Sequence, residues 1–168
     1  MEEIRMKSPT YGNVDSKRIV EIINEYFLKN NCYGSGFEVT IGTDSQNFSD
    51  TKVVSVIAVR CIGHGGIYFY DITHVDRINN VKMKLNYETQ LSLQLANEII
   101  SIIEEDEKYE ELYLSASFVI HVDAGNSPDG KTRELIPDIV GWIRSCGYDC
   151  VVKPDSYTAS SIADRISK

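Results

Sequence analysis

The spacing of apolar positions divides the chain into helical and extended segments. Over residues 16–30, Ile19, Ile22, Ile23, Tyr26 and Phe27 recur at the three- and four-residue interval of one helix face. Asp15 or Ser16 is suited to cap its start, and Asn30 and Asn31 to end it. From Phe37 the period falls to two. Phe37, Val39 and Ile41 alternate with Glu38, Thr40 and Gly42, as in a strand with one buried face. The β-branched run at 51–63, a Gly-rich turn at 63–66 and the segment 67–75 predict two more strands, and short turns make the three an antiparallel meander.

The period then lengthens again. From about residue 86 to 103, Leu91, Leu95, Ile99, Ile102 and Ile103 form a helical stripe, followed by an acidic, solvated helix end and loop at 104–111. A long apolar strand is predicted over 112–123, a helix over 133–147 stopped by Gly147, a short strand over 148–155 and a closing helix over 156–168. Residues 1–15 carry Ser8, Pro9, Gly12 and Asn13 and few apolar side chains, which reads as a loosely held arm. The order α-βββ-α-β-α-β-α predicts an α/β fold in a single domain over 1–168. Its five-stranded mixed sheet joins a meander of three strands to two strands with helical crossovers, flanked by helices.

Composition narrows the class. At 168 residues, 42% hydrophobic and 25% charged, the chain matches one folded domain and excludes collagen, coiled coil and wholesale disorder. No apolar run approaches the ~20 residues that span a bilayer, and the polar start MEEIRMKSPT is no export signal. The expectation is a cytoplasmic protein without a membrane partner. Cys32, Cys61, Cys146 and Cys150 are then expected as free thiols, and they do not complete a zinc set.

The formal charge of -8 weighs against a phosphate-rich partner. Its distribution changes that. Residues 104–111 hold six acids and one lysine, and the rest of the chain carries 19 acids against 16 bases.

Carboxylates also stand where a core does not want them. Asp44 and Asp123 close apolar strands, Asp155 closes the last strand, Asp164 accompanies the stripe of the closing helix, and Glu88 continues the stripe of Leu91, Leu95 and Ile99. A carboxylate on a buried face needs a partner or a cation. Converging acids with few nearby bases suit a hard, oxygen-ligated ion such as Mg²⁺ or Mn²⁺ and the chemistry of phosphoryl transfer. Each acid also has a plainer reading. Asp44 and Asp123 suit turns, Glu88 a helix first turn, Asp155 an N-cap after Pro154, and Asp164 an i, i+4 pair with Lys168.

A second motif competes. Gly125 to Thr132 satisfies the P-loop pattern of Gly, four residues and Gly-Lys-Thr, between a predicted strand and a predicted helix. Pro128 lacks the N–H that phosphate cradling needs, and Asp129 puts negative charge in an anion loop. A helix opening at Gly130 would carry Pro137 in its second turn. A nucleotide-binding reading therefore ranks below the carboxylate site. Lys131, Thr132, Arg133 and Lys153 are candidates to hold a nucleic-acid backbone, with a solvated loop and helix cap as the plainer alternative. Arg77, Lys82 and Lys84 precede Glu88 and are candidates for the same part, with ordinary solvated surface as the plainer reading, and Trp142 with the ten tyrosines reads as core packing. No Gly-x-Ser-x-Gly elbow accompanies His64, His74 or His121, which argues against a Ser-His-Asp hydrolase.

The segment Gly42-Thr43-Asp44-Ser45 resembles the first-strand motif of ribonuclease H proteins. IGTDSQ at 41–46, HVDAG at 121–125, GKTRELI at 130–136 and KPDSYTASSIADR at 153–165 together resemble the YkuK-type branch of that superfamily, a set of uncharacterised bacterial proteins, over about residues 37–168. The resemblance implies a ribonuclease H-like fold and a nuclease using Mg²⁺ or Mn²⁺ in a two-metal mechanism on RNA, DNA or their hybrid. It places Asp44, Glu88 and Asp123 as the first three acids and Asp164 as the fourth, with Asp155 as its rival. The same fold also hosts non-catalytic modules that bind nucleic acid or protein.

Overall fold

The computed structural model describes residues 4–32, 36–125 and 132–153. Two short strands, β1 (Arg5–Ser8) and β2 (Gly12–Asp15), lead into helix α1 (Ser16–Lys29). The meander β3 (Phe37–Asn47), β4 (Thr51–Cys61) and β5 (Gly66–Val75) follows, then the long helix α2 (Val81–Glu105). A 3-10 turn at Glu107–Tyr109 and the short helix α3 (Glu110–Ser115) connect to β6 (Ala116–Gly125). A second 3-10 turn, Arg133–Leu135, opens into α4 (Ile136–Ser145), and β7 is Asp149–Lys153. The sheet has seven strands in the order β2-β1-β5-β4-β3-β6-β7. The meander is antiparallel, while β6 runs parallel to β3 and β7 parallel to β6.

Seven strands replace the five read from the periodicity, and the difference lies in the first fifteen residues. Residues 5–15, expected as a loose arm, form a hairpin that adds to the edge of β5 through Lys7 and Tyr70. Two apolar side chains suffice to seat it: Met6 is 2% and Val14 6% exposed. The Ser8 hydroxyl accepts from the N–H groups of Thr10 and Tyr11 and closes the turn. The hairpin ends at Asp15, whose carboxylate accepts from Arg18 N at 2.8 Å and caps α1.

Helix α1 buries Ile19, Val20, Ile22, Ile23 and Phe27, and packs beside α2. Phe27 meets Phe37 of β3 edge to face at 5.2 Å between ring centroids. Ile41, Ile57, Phe69, Ile99, Ile103 and Ile120 complete the same core, each contributing about 1.5–3 kcal/mol by burial. A smaller cluster of Val54, Val56 and Ala58 with Tyr68, Tyr70 and Ile72 occupies the other face of the meander.

Three boundaries matter for the site. Asn80 accepts from Met83 N at 3.0 Å, so α2 begins at Val81, five residues before its apolar stripe becomes regular. The fourth strand, expected from residue 112, begins at Ala116, because 110–115 are helical. Helix α4 begins at Ile136, with Pro137 in its first turn, where a missing N–H costs nothing. It stops at Gly147, whose φ of 91° only glycine adopts without strain.

Cys32 and Cys61 are joined in a disulfide with Cα atoms 6.2 Å apart, while Cys146 and Cys150 are free. This departs from the four free thiols expected for a reducing compartment. The pairing tethers the end of α1 to the end of β4, 29 residues on, and spacing along the chain does not reveal it. Among the described residues, no helix is long and apolar enough to cross a membrane.

Candidate functional site

The parallel pairing of β3 and β6 sets the site. Its last paired position is Gly42 with His121. Asp44 and Asp123 each lie two residues beyond, at the C-terminal ends of adjacent strands. Both residues are within strands, Phe37–Asn47 and Ala116–Gly125, so neither is the turn former its local sequence also allowed. Both are half-buried.

Glu88 comes to this end of the sheet from α2. Its side chain is 8% exposed, in line with buried Leu85, Ser92, Leu95 and Ile99. Because α2 begins at Val81, Glu88 closes the second turn and lies beyond the first turn where the helix dipole acts. Burial is thus not explained by capping. Ser45 Oγ donates to Glu88 Oε1 at 2.9 Å. Burial is the main force pushing the Glu88 carboxyl up to about 8, reinforced by the negative charges of Asp44 and Asp123 and opposed by the Ser45 hydrogen bond and Lys84.

Hydroxyl contacts lock the helix to the strand. Thr43 Oγ1 lies 2.9 Å from Ser92 Oγ, one helical turn beyond Glu88, and 3.3 Å from Ser55 Oγ on β4. Thr43 and Ser45 share the face that α2 covers. Asp44, between them, is turned to the other face by strand alternation, and its partner Val54 belongs to the smaller cluster there. Asp44 and Glu88 therefore approach the sheet end from opposite faces. Among the described residues, no three His, Cys, Asp or Glu side chains converge closely enough to hold an ion by themselves.

Lys153, at the end of β7, places Nζ 2.6 Å from Asp123 Oδ1. This lysine, read above as a phosphate holder, is an ion-pair partner of a site carboxylate. Burial holds the His121 imidazole below its ordinary range and favours its neutral form. Thr132 is half-buried with its carbonyl accepting from Leu135 N, and Arg133 is exposed. Lys131 and residues 126–130 of the P-loop pattern lie outside the described residues, as do both candidates for the fourth acid, Asp155 and Asp164.

Ser45, Thr43 and Ser92 are functional candidates that the carboxylate search passed over. Their signal was present. Ser92 is four residues from Glu88, and Thr43 and Ser45 alternate along one strand face.

An antiparallel meander continued by two parallel strands, with helices packed on the mixed sheet, is consistent with a ribonuclease H-like fold. The family profile described as Ribonuclease H-like matches residues 18–168, and the chain belongs to that family. It falls in the YkuK-type branch. It is 34% identical over 143 residues to a protein of Bacillus subtilis (strain 168) named "Uncharacterized protein YkuK", covering 80% of this chain and 81% of that one. No solved structure gives a significant match.

Proposed function

We propose that the chain is a metal-dependent nuclease that hydrolyses phosphodiester bonds in nucleic acid, with Asp44, Glu88 and Asp123 as its acidic centre. One observation carries this reading. Glu88 is a nearly buried carboxyl whose proton affinity is raised by burial and then by the charges of two strand-end aspartates. A fold does not gather like charges without a cationic counterpart. The donor set is all oxygen, which fits Mg²⁺ or Mn²⁺. The Lys153 ammonium against Asp123 marks the same demand for positive charge.

Asp44, Glu88 and Asp123 would hold the ion only together with a further ligand, for which Asp164 or Asp155 is the candidate, since no three such side chains among the described residues converge closely enough alone. A bound divalent ion supplies Lewis-acid polarisation of the phosphoryl oxygens and neutralises charge developing on them. The chain's own residues do the rest. Glu88, whose proton is held chiefly by burial and further by repulsion from Asp44 and Asp123, would give up that proton in holding a cation. Ser45 keeps the carboxylate oriented through its hydroxyl, and the Thr43–Ser92 contact fixes the helix against the strand. Lys153, exchanged from Asp123, would meet a substrate phosphate.

The test is cleavage of labelled RNA, DNA and hybrid substrates with and without Mg²⁺ or Mn²⁺. Asp44→Asn is expected to abolish metal-dependent cleavage while leaving the circular dichroism spectrum unchanged. A pure preparation that cuts none of these substrates refutes the reading. The second reading, a non-catalytic module of the same fold binding nucleic acid or protein, is favoured by the Lys153–Asp123 pair, which neutralises one acid without an ion. Calorimetry separates the two: Mn²⁺ binding lost in Asp44→Asn supports the nuclease, and no Mn²⁺ binding by the unaltered chain supports the module.

A further inference from the structure

Helices α2 and α4 leave a surface groove between them, lined by Met83, Asn86, Tyr87, Gln90 and Trp142. Trp142, expected in the core, is 37% exposed, and Met83 is 64% exposed. We propose that this groove seats unpaired bases of a single-stranded segment of the substrate, beside the acidic centre. The proposal rests on the nucleic-acid reading given above and adds a substrate class to it.

Four features favour bases over an apolar peptide or a second copy of the chain. Tyr87 and Trp142 contribute aromatic rings from two different helices, and Met83 adds a polarisable sulfur, the surface on which bases of any sequence stack. Asn86 and Gln90, one helical turn apart, offer amides that both donate and accept, matching the edges of unpaired bases. An apolar peptide would leave those amides unsatisfied.

Charge supplies the third feature. Between Val81 and Asn97 the only acid is Glu88, which is buried, while Lys82 and Lys84 flank the groove on α2. The next acids of the helix begin at Glu98, so apart from buried Glu88 its site end is basic and its far end acidic. On α4, Asp138 and Arg144 offset each other. A phosphate backbone following the bases along α2 therefore meets cations. The fourth feature is nearness along α2: Tyr87, which lines the groove, is the residue directly before Glu88.

Trp142 is the chain's single tryptophan, so indole fluorescence reports on this groove alone. The experiment titrates the full chain in EDTA with oligothymidine of about 12 nucleotides, a length within the usual single-strand site size. Saturable quenching is expected, with affinity about tenfold weaker in Tyr87→Ala and several-fold weaker in the exposed variant Met83→Ala. A duplex of the same length is expected to quench little, because its bases are already stacked. Absence of quenching, equal quenching by the duplex, or an affinity unchanged in both variants overturns the proposal. So does a fluorescence change that follows protein concentration without oligonucleotide, since it makes a second copy the occupant.

Glu88→Gln separates this proposal from the nuclease reading. Quenching retained in that variant, together with cleavage that the unaltered chain performs and the variant does not, supports both. Quenching without any cleavage by the unaltered chain in Mn²⁺ leaves the groove standing and removes the nuclease. Cleavage without quenching does the reverse.

Discussion

Ser45 and Glu88, 43 residues apart in the chain, meet through a 2.9 Å hydrogen bond at the point where α2 crosses the end of β3. The bond is buried on both sides, with Ser45 5% and Glu88 8% exposed. Ser45, with Lys84, holds the carboxyl of Glu88 down against burial and two neighbouring aspartates. Ser45→Ala is expected to raise the Glu88 pKa further and to cost about 1–3 kcal/mol for the acceptor left without its donor. Carboxyl-detected NMR titration reads the first effect and urea denaturation the second. A Glu88 titration unchanged in the variant removes Ser45 from the site.

The raised pKa of Glu88 makes the stability of the metal-free protein depend on pH. In the unfolded chain this carboxyl ionises near its ordinary value of 4.5, and in the fold near 8. Between the two the folded state binds more protons. Stability therefore falls as pH rises from about 4.5 to about 8 and levels off above, when burial and repulsion act on an ionised group in full. Urea midpoints of the chelator-treated protein are expected to drop over this range, and Glu88→Gln is expected to flatten the drop and to be the more stable protein at the alkaline end. Parallel pH profiles for the two proteins would contradict the burial of this charge.

Lys153 occupies Asp123 at 2.6 Å, with the lysine side chain 52% exposed. A divalent ion bound by Asp123 competes with that ammonium. Lys153→Met is expected to tighten Mn²⁺ binding several-fold, because the ammonium no longer competes with the ion for the Asp123 oxygen. Isothermal calorimetry measures the change, and weaker binding in Lys153→Met would show that the lysine supports the ion instead of competing with it.

The Cys32–Cys61 disulfide closes a loop of 29 residues, from the end of α1 to the end of β4. Chain-entropy arguments assign such a loop about 3 kcal/mol, acting on the unfolded state. Reduction of the unaltered protein, or Cys32→Ser, is expected to lower the urea midpoint accordingly. Mass spectrometry after alkylation under denaturing conditions checks that the bond is present. Because the disulfide lies at the opposite end of β3 from Asp44, it is expected to leave Mn²⁺ binding unchanged.

Local periodicity carried much of the architecture. The meander, the two later strands, the stop of α4 at Gly147 and the cap of α1 at Asp15 all depend on residues close in sequence, and so does the place of Glu88 on the apolar face of its helix. Residues 5–15 did not announce their strands. Only two apolar side chains, Met6 and Val14, are buried there, too few for a periodic signal, and the energy that orders them comes from pairing with the distant edge of β5. The exposure of Trp142 was equally hidden, because a helical period says which residues share a face but not whether another element covers it.

The chain by itself determined which carboxylates are anomalous: Asp44 and Asp123 at strand ends and Glu88 in an apolar stripe are facts of spacing. Only the tertiary structure decided how they are arranged. The parallel pairing of β3 with β6 brought the aspartates to adjacent strand ends, and strand alternation turned Asp44 from the face that α2 covers. The placement of β7 delivered Lys153 to Asp123. Each of these depends on strand order and register, set by packing between segments tens of residues apart, whose net energy no local pattern records.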